Sequence, residues 1–199
     1  MIVQQYFPAV VLTELLTSIN VNQLQEYAYE LKANNSGRTV TNYGGWQSEN
    51  LDYNNEIIKP LVQQIYNHVD VLHEIHHIKT KYIPIIDNIW ININAKGGFN
   101  RPHLHNDDLF SGVFYLKTPE KCGDIVFSHP ALQQQYHYRS DHPIVEQWTE
   151  TNSGIMFQHA QVGKLILFPS WLVHYVEPNL SDEDRISIAF NTKLIERNE

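Results

Sequence analysis

Beyond residue 80 the chain abandons helical spacing for short β-branched and aromatic runs, and this change restricts the fold more than any other feature. Runs at 87–95, 111–117, 124–128, 154–159, 164–168, 173–178 and 185–193 are separated by Gly, Pro and Asn. Many short strands at modest spacing predict a sandwich, barrel or jelly roll, not a parallel sheet with crossover helices. Before residue 80, apolar residues recur every three or four positions. Leu12, Leu15, Leu16 and Ile19 lead toward Leu24, Tyr27, Ala28 and Leu31, with a break and recapping point at Asn20 to Asn22. Ile57, Ile58, Leu61, Val62, Ile65, Tyr66, Val69 and Leu72 share one face and predict an amphipathic helix over about 54–77. Between these segments, residues 34–37 and Asn42-Tyr43-Gly44-Gly45-Trp46 read as loop. The expected fold is α+β. It is one domain over 1–199, with a helical N-terminal part (1–80) packed on one sheet of a barrel core (81–199).

Composition narrows the partners. A hydrophobic fraction of 42% supplies a core, and 18% charged residues is low for a disordered chain. The formal net charge of −8, with no basic stripe, argues against nucleic acid as a partner. A single cysteine, Cys122, rules out an intramolecular disulfide and suits a reducing cytosol. The first residues lack the charged, apolar and small-residue regions of a signal peptide, and no apolar run nears the roughly 20 residues of a spanning helix. A soluble cytoplasmic protein, without a membrane partner, is expected.

The most informative stretch is Asn100-Arg101-Pro102-His103-Leu104-His105-Asn106-Asp107-Asp108, between two expected strands. Alternation along an extended chain puts His103, His105 and, one step further, Asp107 on the same side. Imidazole and carboxylate together suit Fe(II), Mn(II) or Zn(II), and non-haem iron oxygenases leave three positions of such a site open. A further ligand should come from a distant strand, and His174 lies 69 residues beyond His105. Eleven residues later comes Arg185-Ile186-Ser187, opening the last apolar run. An arginine there can grip a dicarboxylate through a bidentate fork, with the Ser187 hydroxyl alongside.

These residues resemble a known family. His103-Leu104-His105, followed by Leu109-Phe110-Ser111-Gly112-Val113-Phe114-Tyr115-Leu116, is similar to the front signature of 2-oxoglutarate and Fe(II)-dependent oxygenases of tailed phages, notably of cyanobacteria, and of marine bacteria. The closing signature, Phe168-Pro169-Ser170-Trp171-Leu172-Val173-His174 and then Arg185-Ile186-Ser187-Ile188-Ala189-Phe190-Asn191, is similar as well. So are Phe7-Pro8, Gly44-Gly45-Trp46 and Trp90-Ile91-Asn92. The resemblance implies a double-stranded β-helix, a jelly-roll or cupin-like barrel, with relatives among prolyl hydroxylases. It also implies Fe(II), 2-oxoglutarate and O₂ as cofactor and co-substrates, with succinate and CO₂ as products. Better-studied oxygenases use His-x-Asp as the first pair, here His105-Asn106-Asp107, whereas this family's pattern stresses His103 and His105. His103 and Asp107 therefore compete to complete a metal site with His105 and His174. The distal carboxylate of 2-oxoglutarate is expected on Arg185, helped by Ser187 and Tyr115.

Asn92 and Asn94, on alternate positions of one strand, are further candidates to face the pocket, and the segment 131–152 is expected to cap it. The substrate, a small molecule or a protein side chain, is not legible. Two other functions compete. One is a non-catalytic metal- or sugar-binding barrel, such as a phage accessory component; the other is a metal-dependent hydrolase or isomerase. His73-Glu74-Ile75-His76-His77 also satisfies the zinc-protease pattern H-E-x-x-H. It falls at a helix end with no third ligand downstream, so a solvated helix terminus is expected there.

Overall fold

The computed structural model describes the chain apart from residues 3, 5, 6, 132–144, 198 and 199. In chain order its elements are β1 (Leu12–Leu15), α1 (Val21–Asn34), β2 (Asn42–Gln47), α2 (Lys59–Ile75), β3 (Tyr82–His103), β4 (Phe110–Lys117), β5 (Ile125–Ser128), β6 (Ile155–Gln158), β7 (Lys164–Pro169), β8 (His174–Val176) and β9 (Arg185–Glu196). The strands form one nine-stranded sheet in the order β1-β7-β4-β9-β3-β8-β5-β6, with β2 also paired to β3, and every pairing is antiparallel.

Alternation gives this sheet two different faces. Ile89, Ile91 and Ile93 of β3, Phe114 and Leu116 of β4, and Ile186, Ile188 and Phe190 of β9 belong to one apolar cluster. The same cluster contains Leu24 and Ala28 of α1 and Leu61, Ile65, Val69 and Leu72 of α2. Residues of opposite parity, Asn92 and Asn94 of β3, Ser111 and Tyr115 of β4, and Arg185, Ser187 and Asn191 of β9, line a cavity instead. A register shift between Ile86 and Asn88 resets the parity of β3. It lets Ile86 and Ile89 share the apolar face. Burying each such side chain contributes ~1.5–3 kcal/mol.

Four expectations are corrected. Leu12–Leu15 is a strand, not part of a helix: it pairs with Leu167 to Lys164 of β7, while Leu16 and Ile19 enter the core. Residues 42–47 are strand β2, not loop. The second helix starts at Lys59, after turns over 53–58, with a proline in its first turn. The first barrel strand runs to His103, far beyond residue 95, so His103 itself lies on a strand. Asn20 caps α1, its side chain accepting from the Gln23 N–H at 3.2 Å. The H-E-x-x-H stretch closes α2, where the His73 and His76 rings lie 6.3 and 5.3 Å from that of Phe110. Much of the expected capping segment, residues 132–144, lies outside the described residues.

Candidate active site

Strand pairing brings the histidines together. His174 opens β8 and faces His103, at the end of β3, in direct register, with Phe127 of β5 on its other side. His105 follows two residues after β3, its N–H donating to the Ser170 carbonyl at 2.9 Å. One nitrogen from each of His103, His105 and His174 lies within 4.8 Å of the others. This is the one group of three potential metal-ligating side chains among the described residues. Asp107 is exposed and lies outside it.

Electrostatics keep all three rings neutral. Burial pushes His174 down to about 3, with His103 and His105 adding repulsion against the opposing hydrogen bond to Leu172. Burial and then His103 push His105 to about 4, and burial lowers His103 as well. His103 and His174 each donate Nδ1–H to a carbonyl two residues upstream, that of Arg101 at 2.6 Å and of Leu172 at 2.9 Å. A carbonyl only accepts, so Nε2 of each ring retains its lone pair. Converging neutral imidazoles of this kind fit a divalent first-row metal.

The same cavity, about 350 Å³ in volume, is lined by Arg185, Tyr115 and Ser187. Tyr115 and Ser187 are register partners across β4 and β9, Asn92 faces Ser187 from β3, and Asn94 faces Arg185. Arg185 is 1% exposed. Its Nη1 donates to the carbonyls of Cys122, Gly123 and Glu177. Its Nη2 is buried without a protein partner, as are the Tyr115 hydroxyl, Asn94 Nδ2 and Asn92 Oδ1. Three buried donors left open, one of them on the charged guanidinium itself, is a costly arrangement unless an anion binds there. Burial drives the Tyr115 phenol well above its ordinary value, so it remains a donor. Burial lowers the Arg185 guanidinium, against Tyr115, Cys122, Asp124 and Glu177, yet arginine stays charged at neutral pH. These groups fit the far end of a dicarboxylic keto acid.

Sequence reasoning left several cavity residues out. Asn88 and Asn191 share the parity of the cavity-facing residues on their strands, which is the signal that could have found them. Arg38 also lines the cavity, held by a bridge to Gln47, with a buried, unpartnered Nε. Nothing local in the sequence marks it.

A curled antiparallel half-barrel holding clustered neutral imidazoles and a buried arginine defines a jelly-roll protein of the metal- and keto-acid-dependent kind. The family described as "Putative 2OG-Fe(II) oxygenase" matches residues 88–191, more than half of the chain. The chain belongs to this 2-oxoglutarate and Fe(II)-dependent oxygenase family and is an oxygenase that uses Fe(II), 2-oxoglutarate and O₂. No curated protein matches it. Among solved structures it is similar to a Pseudomonas putida prolyl-4-hydroxylase, with 13% identity, a TM-score of 0.57 and coverage of 95% of this chain and 93% of that one. A viral collagen prolyl hydroxylase from Paramecium Bursaria Chlorella virus-1 gives 14%, 0.60, 92% and 94%. HygX from Streptomyces hygroscopicus, with nickel and 2-oxoglutarate bound, gives 12%, 0.57, 92% and 82%. At these identities the likeness is one of fold, the 2-oxoglutarate oxygenase jelly roll. No helix among the described residues is long and apolar enough to cross a membrane.

Proposed function

We propose that the chain is a single-domain hydroxylase, resembling prolyl hydroxylases, in which His103, His105 and His174 hold Fe(II) and Arg185, Tyr115 and Ser187 hold the distal carboxylate of 2-oxoglutarate. One observation carries this reading. The Arg185 guanidinium is pinned by one arm to three carbonyls and leaves the other arm unpartnered in the cavity that the histidines line. Asp107, being exposed, yields the third ligand place to His103. A set of three imidazoles lacks the negative charge of a two-histidine, one-carboxylate site.

Bound Fe(II), with 2-oxoglutarate and O₂, supplies the oxidising chemistry. The protein's own residues fix the co-substrate's orientation and keep water from the reacting end. Asn94 adds a donor beside Arg185. The lining also includes Arg38, Thr41, Gln47, Asn50 and Asn100, which suits a polar acceptor, either a small molecule or a protein side chain. In this reading α1 and α2 buttress the outer face of the sheet, and the protein works in the cytoplasm of a bacterium or a phage-infected host, away from membrane and nucleic acid. A hydrolase has no use for a buried dicarboxylate clamp.

Anaerobic titration with Fe(II) and 2-oxoglutarate tests the proposal. A weak visible charge-transfer band should appear, and admission of air should release succinate. Arg185→Ala should weaken 2-oxoglutarate binding by about two orders of magnitude, since charge-assisted hydrogen bonds are lost. Metal binding should change little. Absence of both band and succinate would favour the non-catalytic or hydrolytic reading, and equal loss of metal and 2-oxoglutarate would remove Arg185 from its assigned role.

A further inference from the structure

His105 is aimed differently from its two neighbours. The main chain fixes the tautomers of His103 and His174, through carbonyls two residues upstream. Nδ1 of His105 meets a side chain instead, the amide of Asn191 on β9, at 3.3 Å. Asn191 is 3% exposed and stands opposite Asn88 of β3 and Ser111 of β4. Its Nδ2 also lies 2.9 Å from Asn88 Oδ1, and its own Oδ1 is buried and unpartnered.

An amide can present either end, and the two choices have opposite consequences for the ring. With Nδ2 toward His105, Nδ1 must accept, and the ring proton sits on Nε2, the nitrogen otherwise left for a metal. With Oδ1 toward His105, Nδ1–H donates, the orphaned oxygen is satisfied, and Nε2 regains its lone pair. A matching turn of Asn88 offers its Nδ2 to that same oxygen, at the cost of the exposed hydrogen bond that Asn88 Nδ2 donates to Asp87 Oδ2 at 2.9 Å. The turned amide places Nδ2 where the unpartnered oxygen stood, so what separates the two arrangements is the ring: only the second leaves Nε2 of His105 free for a metal.

We propose that Asn191, backed by Asn88, is a positioning residue that sets the tautomer of His105 for metal ligation. The inference rests on the three-imidazole reading above. It separates His105 from the other two ligands, because a single side-chain substitution can unset it.

Two measurements test it. In metal-free protein with ¹⁵N-labelled histidine, long-range ¹H–¹⁵N spectra should show His105 protonated on Nδ1, with the Nε2–H form gaining population in Asn191→Leu. By calorimetry, Asn191→Leu should bind Co(II) about 10- to 100-fold more weakly, as for other losses of a ligand's hydrogen-bond partner. Asn191→Asp, whose carboxylate still accepts from Nδ1–H, should stay within about threefold of the wild type on the same reasoning. A wild-type His105 protonated on Nε2, or an Asn191→Leu variant with unaltered Co(II) affinity, would overturn the proposal. Were wild-type protein to bind no Co(II), the three-imidazole reading would fall by itself, while the tautomer assignment would still be decided by the spectra.

Discussion

Arg185 is half satisfied, one arm bonded to backbone carbonyls and the other buried without a partner. Cys122 and Gly123 supply two of its carbonyl partners, so the turn that carries the lone thiol acts through its backbone. The thiol itself is buried, and burial raises its pKa despite the nearby guanidinium. The folded state therefore retains the proton longer than the unfolded one, so stability falls as pH rises through the unfolded thiol's value near 9. Raised Tyr115 works in the same direction. Iodoacetamide should modify native Cys122 far more slowly than the urea-unfolded chain at pH 8; comparable rates would contradict its burial. That His103, His105, His174, Arg185, Ser187 and Tyr115 line one cavity was legible in the sequence, from their spacing and from the family resemblance, whereas Asp107 is exposed outside the histidine group. Asn191, Asn88 and Arg38 were not legible. Strand parity could have found Asn88 and Asn191 once the bounds of β3 and β9 were known, whereas nothing local marks Arg38.

At the level of elements, the long, strongly patterned segments were legible and the edges were not. The spacing of Leu12, Leu15, Leu16 and Ile19 imitates a helix, but Leu12 to Leu15 pair with Leu167 to Lys164 of β7, a segment far along the chain. Strand β2 looked like loop because glycine has low strand propensity. Gly45 is needed there for a physical reason, since a Cβ would come within 2.5 Å of Asn94 Nδ2. Gly112 plays a similar part inside β4. A methyl group there would collide with the Phe190 ring and lie 2.8 Å from the Ile166 carbonyl oxygen. Gly112→Ala should therefore destabilise the protein by about 1–3 kcal/mol, the usual range for overpacking. Urea denaturation would measure it, and a midpoint equal to wild type would mean that Phe190 moves aside freely.

Over the whole molecule, a sandwich, barrel or jelly roll was legible from strand number and spacing and the jelly roll among them from the family resemblance, whereas strand order was not, because pairings such as β1 with β7 and β4 with β9 join distant segments. The assembled sheet couples stability to its ligands. Ligands that bind only the folded state stabilise it, by about 2.7 kcal/mol at a hundred times Kd. With Ni(II) present, 2-oxoglutarate at that excess should raise Tm by about 5–10 °C for a chain of this size. In Arg185→Ala, 2-oxoglutarate should add little beyond the shift given by Ni(II) alone. A full shift in that variant would place the keto acid elsewhere.

Strand β9 sits between β3 and β4, and it follows both in the chain. The two strands on either side of it bring His103 and Tyr115 to the site, and β9 brings Arg185 and Asn191. A chain cut short before β9 should therefore lose Arg185, Ser187 and Asn191 from the cavity together with the middle of the sheet.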